Sequence, residues 1–177
     1  MNCITPIDGR YQEITKPLRE YFSEFSFFKY RLYIEISYFN NLISILPNLT
    51  INESDLKEIK IKTINIWSQF NNEDYIIIKN YESVLQHDIK ALEYFTRDKF
   101  IKLGIEKYIT YVHFGITSQD INTSANILAL KDAINLCIIP EIINLMICIK
   151  SFIQYSNNTV MLGFTHGQPA VPTTMSK

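Results

Sequence analysis

The chain has 177 residues, of which 47% are hydrophobic, enough to form the core of one ordinary globular domain. Lysine and arginine (17) nearly balance aspartate and glutamate (18), so the formal net charge is −1. This balance lacks the basic excess of nucleic-acid-binding proteins and the acidic tails of disordered ones, so we expect a folded protein that does not bind nucleic acid.

The first predicted helix runs from residue 17 to residue 46, where apolar residues recur every three or four positions. Pro17 suits a first helical turn and Pro47 suits the exit. Acidic residues beside Ser54 predict a capped start for a second helix within residues 51–70.

Two shorter segments follow. Residues 72–81 contain three consecutive isoleucines and could form a strand, but the neighbouring segments favour a helix. Residues 87–104 predict another helix, with Asp88 in its first turn and Gly104 just past its end.

The longest predicted helix covers residues 118–158, with Ser118 as its N-cap. Pro140 should kink it, because proline lacks an amide proton and crowds the carbonyl four residues earlier. Beyond it, residues 159–170 contain two glycines and a proline and predict a loop, and residues 172–177 predict the start of another helix. The expected fold class is all-α.

The most apolar stretch, residues 135–153, is interrupted by Pro140, Glu141 and Lys150, so it predicts a buried helix rather than a membrane span. The N-terminus has no apolar signal core, so a cytoplasmic location is expected. The cysteines have no metal-type spacing.

The chain contains three histidines, His87, His113 and His166, and each lies in a polar segment without helical periodicity. Histidine is the side chain best suited to transfer a proton near neutral pH. For any single histidine a structural role is the commoner alternative. The shared setting of all three favours a catalytic or binding role.

Two further positions are suited to binding anions. Thr117 and Ser118 open the longest helix, where hydroxyls and backbone amides can bind an anion, although simple N-capping is the alternative. Arg10 follows an Asp-Gly turn and could hold a phosphate in bidentate fashion, although a lone arginine is more often solvated.

Four motifs carry a family resemblance, and they occur in the order PIDGRY, HDIKALEYF, HFGITSQDIN and THGQPAVPTT. With this spacing the chain resembles, from residue 4 to residue 177, the bacterial adenylosuccinate lyases of the fumarase/aspartase superfamily. Argininosuccinate lyase, a sister fumarate-releasing enzyme, is the alternative, and the opening P-x-D-G-R-Y separates the two.

The resemblance implies an N-terminal helical domain in residues 1–115 and, in residues 116–177, the incomplete start of a central helical bundle. It implies a homotetramer whose active sites combine three subunits. The implied reactions release fumarate from adenylosuccinate, giving AMP, and from the succinylo-carboxamide ribotide SAICAR, giving AICAR. Neither a metal nor an organic cofactor is expected, and the partners would be nucleotide substrates.

The resemblance also assigns roles to residues. His166 matches the general acid, and Thr165 matches a residue that binds the succinyl group. His87 and Asp88 match a pair that orients the substrate. The other matched positions are proposed to contact a substrate carboxylate (Thr117, Ser118), to lie near the phosphate (Arg10, Tyr11) or to be secondary candidates (His113, Asp120, Asn122, Gln168).

Two features depart from the family pattern. The serine loop that supplies the general base, with a sequence like S-S-x-M-P-x-K-x-N, does not occur in the 177 residues. Before His87, residues 82–86 read ESVLQ where the family has a threonine-rich segment. The second hypothesis is therefore a truncated, non-catalytic helical remnant that binds nucleotide or assembles with other chains.

Overall fold

The computed structural model describes residues 3–47, 49 and 51–177, which divide into two compact units, Met1–Asp132 and Ala133–Lys177. The all-α fold class is confirmed, with one small two-stranded sheet in the second unit. The predicted domain boundary between residues 115 and 116 stays a prediction. The main elements are the helices α1 (Arg19–Phe22), α2 (Glu24–Ile45), α3 (Glu53–Ser68), α4 (Asn72–Leu85), α5 (Asp88–Lys102), α6 (Ser118–Ala133) and α7 (Ile139–Ser156), and the strands β1 (Val160–Thr165) and β2 (Gln168–Thr174).

Helix α2 is the centre of the first unit and packs against α3, α4 and α5. Its buried apolar residues recur every three or four positions and form one stripe, because such spacing returns to the same helical face. The members of this stripe are Phe28, Leu32, Ile36, Phe39 and Ile43. The facing helices contribute further buried apolar residues, among them Ile59, Ile66, Ile78, Leu92, Phe95 and Phe100.

The prediction of one continuous helix over residues 17–46 is wrong at Ser23. Its backbone is extended, with ψ at 156°, and its Oγ accepts the N–H of Ser26 at 3.2 Å. Ser23 therefore caps a new helix, which leaves the short α1 and a 3₁₀ turn, Lys16–Leu18, before it.

The start of α3 also differs by two residues from the prediction, because Asn52 and not Ser54 is the cap. Asn52 has the extended backbone that a cap requires, and its Oδ1 accepts the N–H of Asp55 at 2.7 Å. The segment with three isoleucines is helical, as α4. Gly104 lies past the end of α5 with φ at 68°, as predicted.

The helical run continues from Ser118 to Ser156, but its hydrogen bonding changes to a π-helical turn at Ile134–Ile138. Pro140 accounts for this position, since its missing N–H and its ring disturb the bonds to the preceding turn. The run is long and apolar enough to cross a membrane by length and composition, a test that core helices of soluble proteins also pass. The predicted burial does not occur within the chain, because Ser156 is the one buried residue that α7 shows among the described positions.

The end of the chain forms a β-hairpin, so the predictions of a loop at 159–170 and a helix at 172–177 are both wrong. The strands pair in antiparallel register from Val160 opposite Thr174 to Thr165 opposite Gln168. His166 and Gly167 form the two-residue turn, with φ at 53° and 74°. Two positive φ values are what the tight hairpin turn that matches strand twist requires.

The α2 stripe makes the stability of the first unit sensitive to truncation. We expect Ile36→Ala to lower the free energy of unfolding by about 2–5 kcal/mol, because Ile36 is fully buried and the substitution leaves a cavity. Ile61→Ala, at a residue 63% exposed on α3, is the matched control and should change it by less than about 0.5 kcal/mol. Urea unfolding followed by circular dichroism measures both, and equal effects would contradict the assignment of the core.

Candidate active site

The first candidate segment is the junction between α4 and α5. Gln86 ends α4 in the left-handed conformation, with φ at 53°, and His87 then caps α5. The Nδ1 atom of His87 accepts the N–H of Lys90 at 3.1 Å. Because Nδ1 acts as an acceptor, the proton of the neutral imidazole is assigned to Nε2. His87 therefore presents an N–H donor on a ring that is half exposed.

The second segment is the start of α6. The predicted N-cap, Ser118, is instead the first residue of the helix. Asp120 stabilises this start, because its Oδ2 accepts both the N–H of Thr117 at 2.7 Å and its hydroxyl at 2.9 Å. These bonds from Thr117 lower the pKa of Asp120.

These two segments meet, since the hydroxyl of Ser118 lies 3.5 Å from Nε2 of His87. The surface where the starts of α5 and α6 meet presents an imidazole N–H, a hydroxyl and the first backbone amides of α6. Such donors at a helix N-terminus are suited to binding a carboxylate.

Asp88 faces Arg31, a residue of α2 that none of the four family motifs includes. Its Oδ2 lies 2.7 Å from a terminal nitrogen of Arg31, and Nε of Arg31 donates to Oδ1 of Asn122 at 2.8 Å. Arg31 is only 7% exposed, and its guanidinium lies 3.9 Å from the ring centroid of Phe27. Burial lowers the pKa of Arg31, and the charge of Asp88 opposes this effect. No sequence signal marked Arg31, because a charged residue in an amphipathic helix is usually solvated.

His113 contacts Glu35, a second buried charged residue of α2. The backbone N–H of His113 donates to Oε1 at 2.7 Å, and its Nδ1 lies 2.8 Å from Oε2. Glu35 is 1% exposed, and His113 has a left-handed backbone with φ at 60°. The hydrogen bond to Glu35 raises the pKa of His113, while partial burial and Lys90 oppose the increase and Glu93 adds to it.

In the second unit, the hairpin brings together three of the residues that the resemblance assigned. His166 lies in the turn, and Thr165 and Gln168 form the pair that closes it. All three are exposed. The imidazole is therefore held at the tip of the hairpin by two flanking strands.

Arg10 and Tyr11 lie in the irregular segment before α1 and contact each other, with the guanidinium carbon 5.5 Å from the ring centroid. The segment is folded by Asp8, whose Oδ1 accepts the N–H and the hydroxyl of Thr5, each at 2.8 Å. Among the residues that the structure describes, no three His, Cys, Asp or Glu side chains are grouped so that they could hold a metal ion.

Comparison with known proteins supplies the family. A protein-family model described as lyase matches residues 9–177. The chain belongs to this lyase family. Its match extends over all the candidate segments described above except the first residues of the PIDGRY motif.

The similarity of this lyase-family chain to adenylosuccinate lyases, inferred from four motifs, is confirmed by curated relatives with that name. The enzyme of Buchnera aphidicola (subspecies Schizaphis graminum) is 44% identical over 181 residues, covering 100% of this chain and 39% of the relative. Those of Legionella pneumophila (strain Corby) and Dictyostelium discoideum are 40% and 38% identical, with the same coverage. The chain thus spans about 39% of the length of these relatives.

Solved structures show the fold of the lyase-family chain. A fumarate lyase from a Mesorhizobium species aligns with a TM-score of 0.69 and 23% identity, covering 91% of this chain and 35% of that one. A β-carboxy-cis,cis-muconate cycloisomerase from Acinetobacter calcoaceticus aligns with a TM-score of 0.66 and 22% identity, covering 91% and 36%. The helical fold is therefore shared with these two solved structures.

The pair His113 and Glu35 makes stability depend on pH. The folded-state pKa of His113 is raised. Its contribution to the free energy of unfolding is therefore fully present below about pH 6.5 and is lost as pH rises through the raised pKa. We expect Glu35→Gln to remove this decline and to lower stability at pH 6. Urea unfolding between pH 5.5 and 9 measures the slope.

The pKa of His113, followed by NMR titration, is the direct check on this prediction. It should fall in Glu35→Gln, because the substitution removes the carboxylate that pairs with Nδ1 of His113. An unchanged pKa of His113 would contradict the pairing.

Proposed function

We propose that the chain carries substrate-binding groups and the general acid of an adenylosuccinate lyase. The reaction would release fumarate from adenylosuccinate to give AMP, and from SAICAR to give AICAR. The observation that carries the proposal is the meeting of His87 and Ser118, two residues from separate family motifs, at two helix starts. The relatives named adenylosuccinate lyase, 44% to 34% identical over the whole chain, support it.

The reaction breaks a C–N bond after a proton is removed from the carbon beside a carboxylate. It needs a base for that proton, an acid for the departing nitrogen, and donors that stabilise the charge that develops on the carboxylate. We assign the acid to His166, whose place in the hairpin turn leaves its imidazole exposed. The base would be the serine of a loop with a sequence like S-S-x-M-P-x-K-x-N, which these 177 residues do not contain.

The carboxylates of the succinyl group would bind where the starts of α5 and α6 meet. Ser118 is better placed for this than Thr117, because the hydroxyl of Thr117 already donates to Asp120. Asp88 would repel an anionic substrate if it were unpaired, and Arg31 offsets its charge. In an active site that combines three subunits, as the resemblance implies, Thr165 and Gln168 would contact the succinyl part beside His166. His113 would be a secondary binding residue.

Arg10 and Tyr11 would bind the nucleotide phosphate. Both side chains are exposed, and they lie next to each other. A guanidinium can form two parallel hydrogen bonds to phosphate oxygens, and a phenol can donate a third. No metal or organic cofactor is part of the proposed reaction.

We further propose that the complete enzyme is a cytoplasmic homotetramer. The exposed apolar side chains of α7 support an assembly, since large exposed apolar patches mark interaction surfaces. They include Ile142, Ile143, Leu145, Met146, Ile147, Ile149 and Phe152. In this proposal other helices of the tetramer cover them, rather than lipid, and nucleic acid is not a partner.

A non-catalytic remnant is the second candidate, and one observation favours it. Val84, in the segment that departs from the family pattern, is 80% exposed close to His87. An exposed valine offers no hydrogen bond to a polar substrate, whereas the threonine-rich segment of the family would. Argininosuccinate lyase activity remains the alternative within the class.

The proposed role of His166 can be tested in a chimera, in which residues 1–177 are joined to the remainder of the Buchnera enzyme. We expect His166→Asn to reduce kcat by roughly 10²–10⁴-fold, the usual contribution of a general acid. Asparagine is chosen because Asn-Gly is a preferred dipeptide in this turn, so the hairpin is kept while the imidazole is lost. The ultraviolet change on conversion of adenylosuccinate measures turnover.

The control is the affinity of the same variant for adenylosuccinate, which should stay within a few-fold of the parent chimera. Near-normal turnover would show that His166 is not the acid. An inactive parent chimera would favour the remnant hypothesis instead.

A further inference from the structure

We infer that Arg31 is a positioning residue, which sets the distance between His87 and Ser118. This inference rests on the proposed function, because it concerns the same site. Arg31 lies on α2 and is not among the residues that the family motifs assign. Its contacts nevertheless join the two helix starts that carry the candidate donors.

The guanidinium uses two different nitrogens. A terminal nitrogen lies 2.7 Å from Oδ2 of Asp88, the residue that follows His87. Nε donates at 2.8 Å to Oδ1 of Asn122, which is four residues after Ser118 and so lies on the same face of α6. One planar group therefore connects the starts of both helices, and the 3.5 Å contact between Ser118 and His87 closes the arrangement.

The guanidinium is itself held in place. The ring of Phe27 lies 3.9 Å from the guanidinium carbon and the ring of Phe28 lies 5.1 Å away. Phe28 and Leu32, its neighbours in the α2 stripe, are 1% and 0% exposed. Helix α2 is anchored in the core. Because Arg31 contacts the starts of both α5 and α6, it fixes their positions relative to this rigid helix.

Stability alone gives a weak reason for a cation at this position. Replacing a buried ion pair by apolar residues is often neutral or stabilising, because burial of the charge has a high desolvation cost. What such a group does provide is geometry, since the guanidinium fork fixes the directions of its donors. Lysine keeps the charge but has a single flexible ammonium, which cannot reproduce two bonds from a planar group.

Arg31→Lys in the 177-residue chain tests this inference without any activity. The three histidines give few enough side-chain signals for ¹H–¹⁵N NMR to report the tautomer and environment of each. We expect the signals of His87 to move, as its contact with Ser118 is lost, while those of His166 stay unchanged. Unchanged signals of His87 would overturn the inference.

Arg97→Lys is the matched control. Arg97 pairs with Glu93 at 2.6 Å, but both residues belong to α5, so this pair joins no two elements. Arg97→Lys should leave the NMR signals of His87 unchanged. If Arg31→Lys prevents folding, Asn122→Ala removes one of the two bonds at a half-buried position, and His87 must then respond to that variant. A folded Asn122→Ala chain with unchanged His87 signals would also overturn the inference.

In the chimera, we expect Arg31→Lys to lower kcat/KM by about 10–100-fold, by analogy with residues that orient metal ligands. The loss should appear mainly in KM, because the positioned groups are proposed to bind substrate. An inactive parent chimera would refute the proposed function and leave the NMR test intact. An active parent with an unaffected Arg31→Lys variant would refute the role of Arg31.

Discussion

The first unit depends on how helix α2 brings two charged residues into an apolar core. Arg31 and Glu35 are one helical turn apart and almost fully buried. A buried charge without a partner is strongly destabilising, so each must find one when the chain folds. The partners, Asp88 with Asn122 and the loop residue His113, come from the segments that carry the candidate site. Core formation and site formation are therefore linked.

Much of the helical structure could be predicted from the sequence, because it depends on local spacing. The neighbouring segments favoured a helix at residues 72–81, which lie in α4. Asp88 and Gly104 indicated the first turn and the end of the helix predicted at 87–104, which is α5. The errors at Ser23 and Asn52 concern caps, where several residues of similar propensity compete and the hydrogen bond decides. The hairpin was missed because a two-residue turn built on His166 has no Asn-Gly signal, and glycine and proline are common to loops and hairpins.

The candidate site could be anticipated from the sequence only in part. Thr117, Ser118 and the three histidines stand out because they are polar residues outside helical periodicity. Arg31 and Glu35 do not, since a charged residue within an amphipathic helix is usually solvated. Only the packing of α2 shows that they are buried, and that packing involves residues more than fifty positions away along the chain.

The proline content of the hairpin has a consequence for how the chain meets other chains. Both strands of a two-stranded sheet are edges, and an open edge is a template for adding a further strand. Pro169 and Pro172 lie within β2, opposite Phe164 and Leu162, and neither has an amide hydrogen to offer an incoming strand. Strand β2 is thus protected against repeated addition of further strands at its edge, the first step towards amyloid-like aggregates.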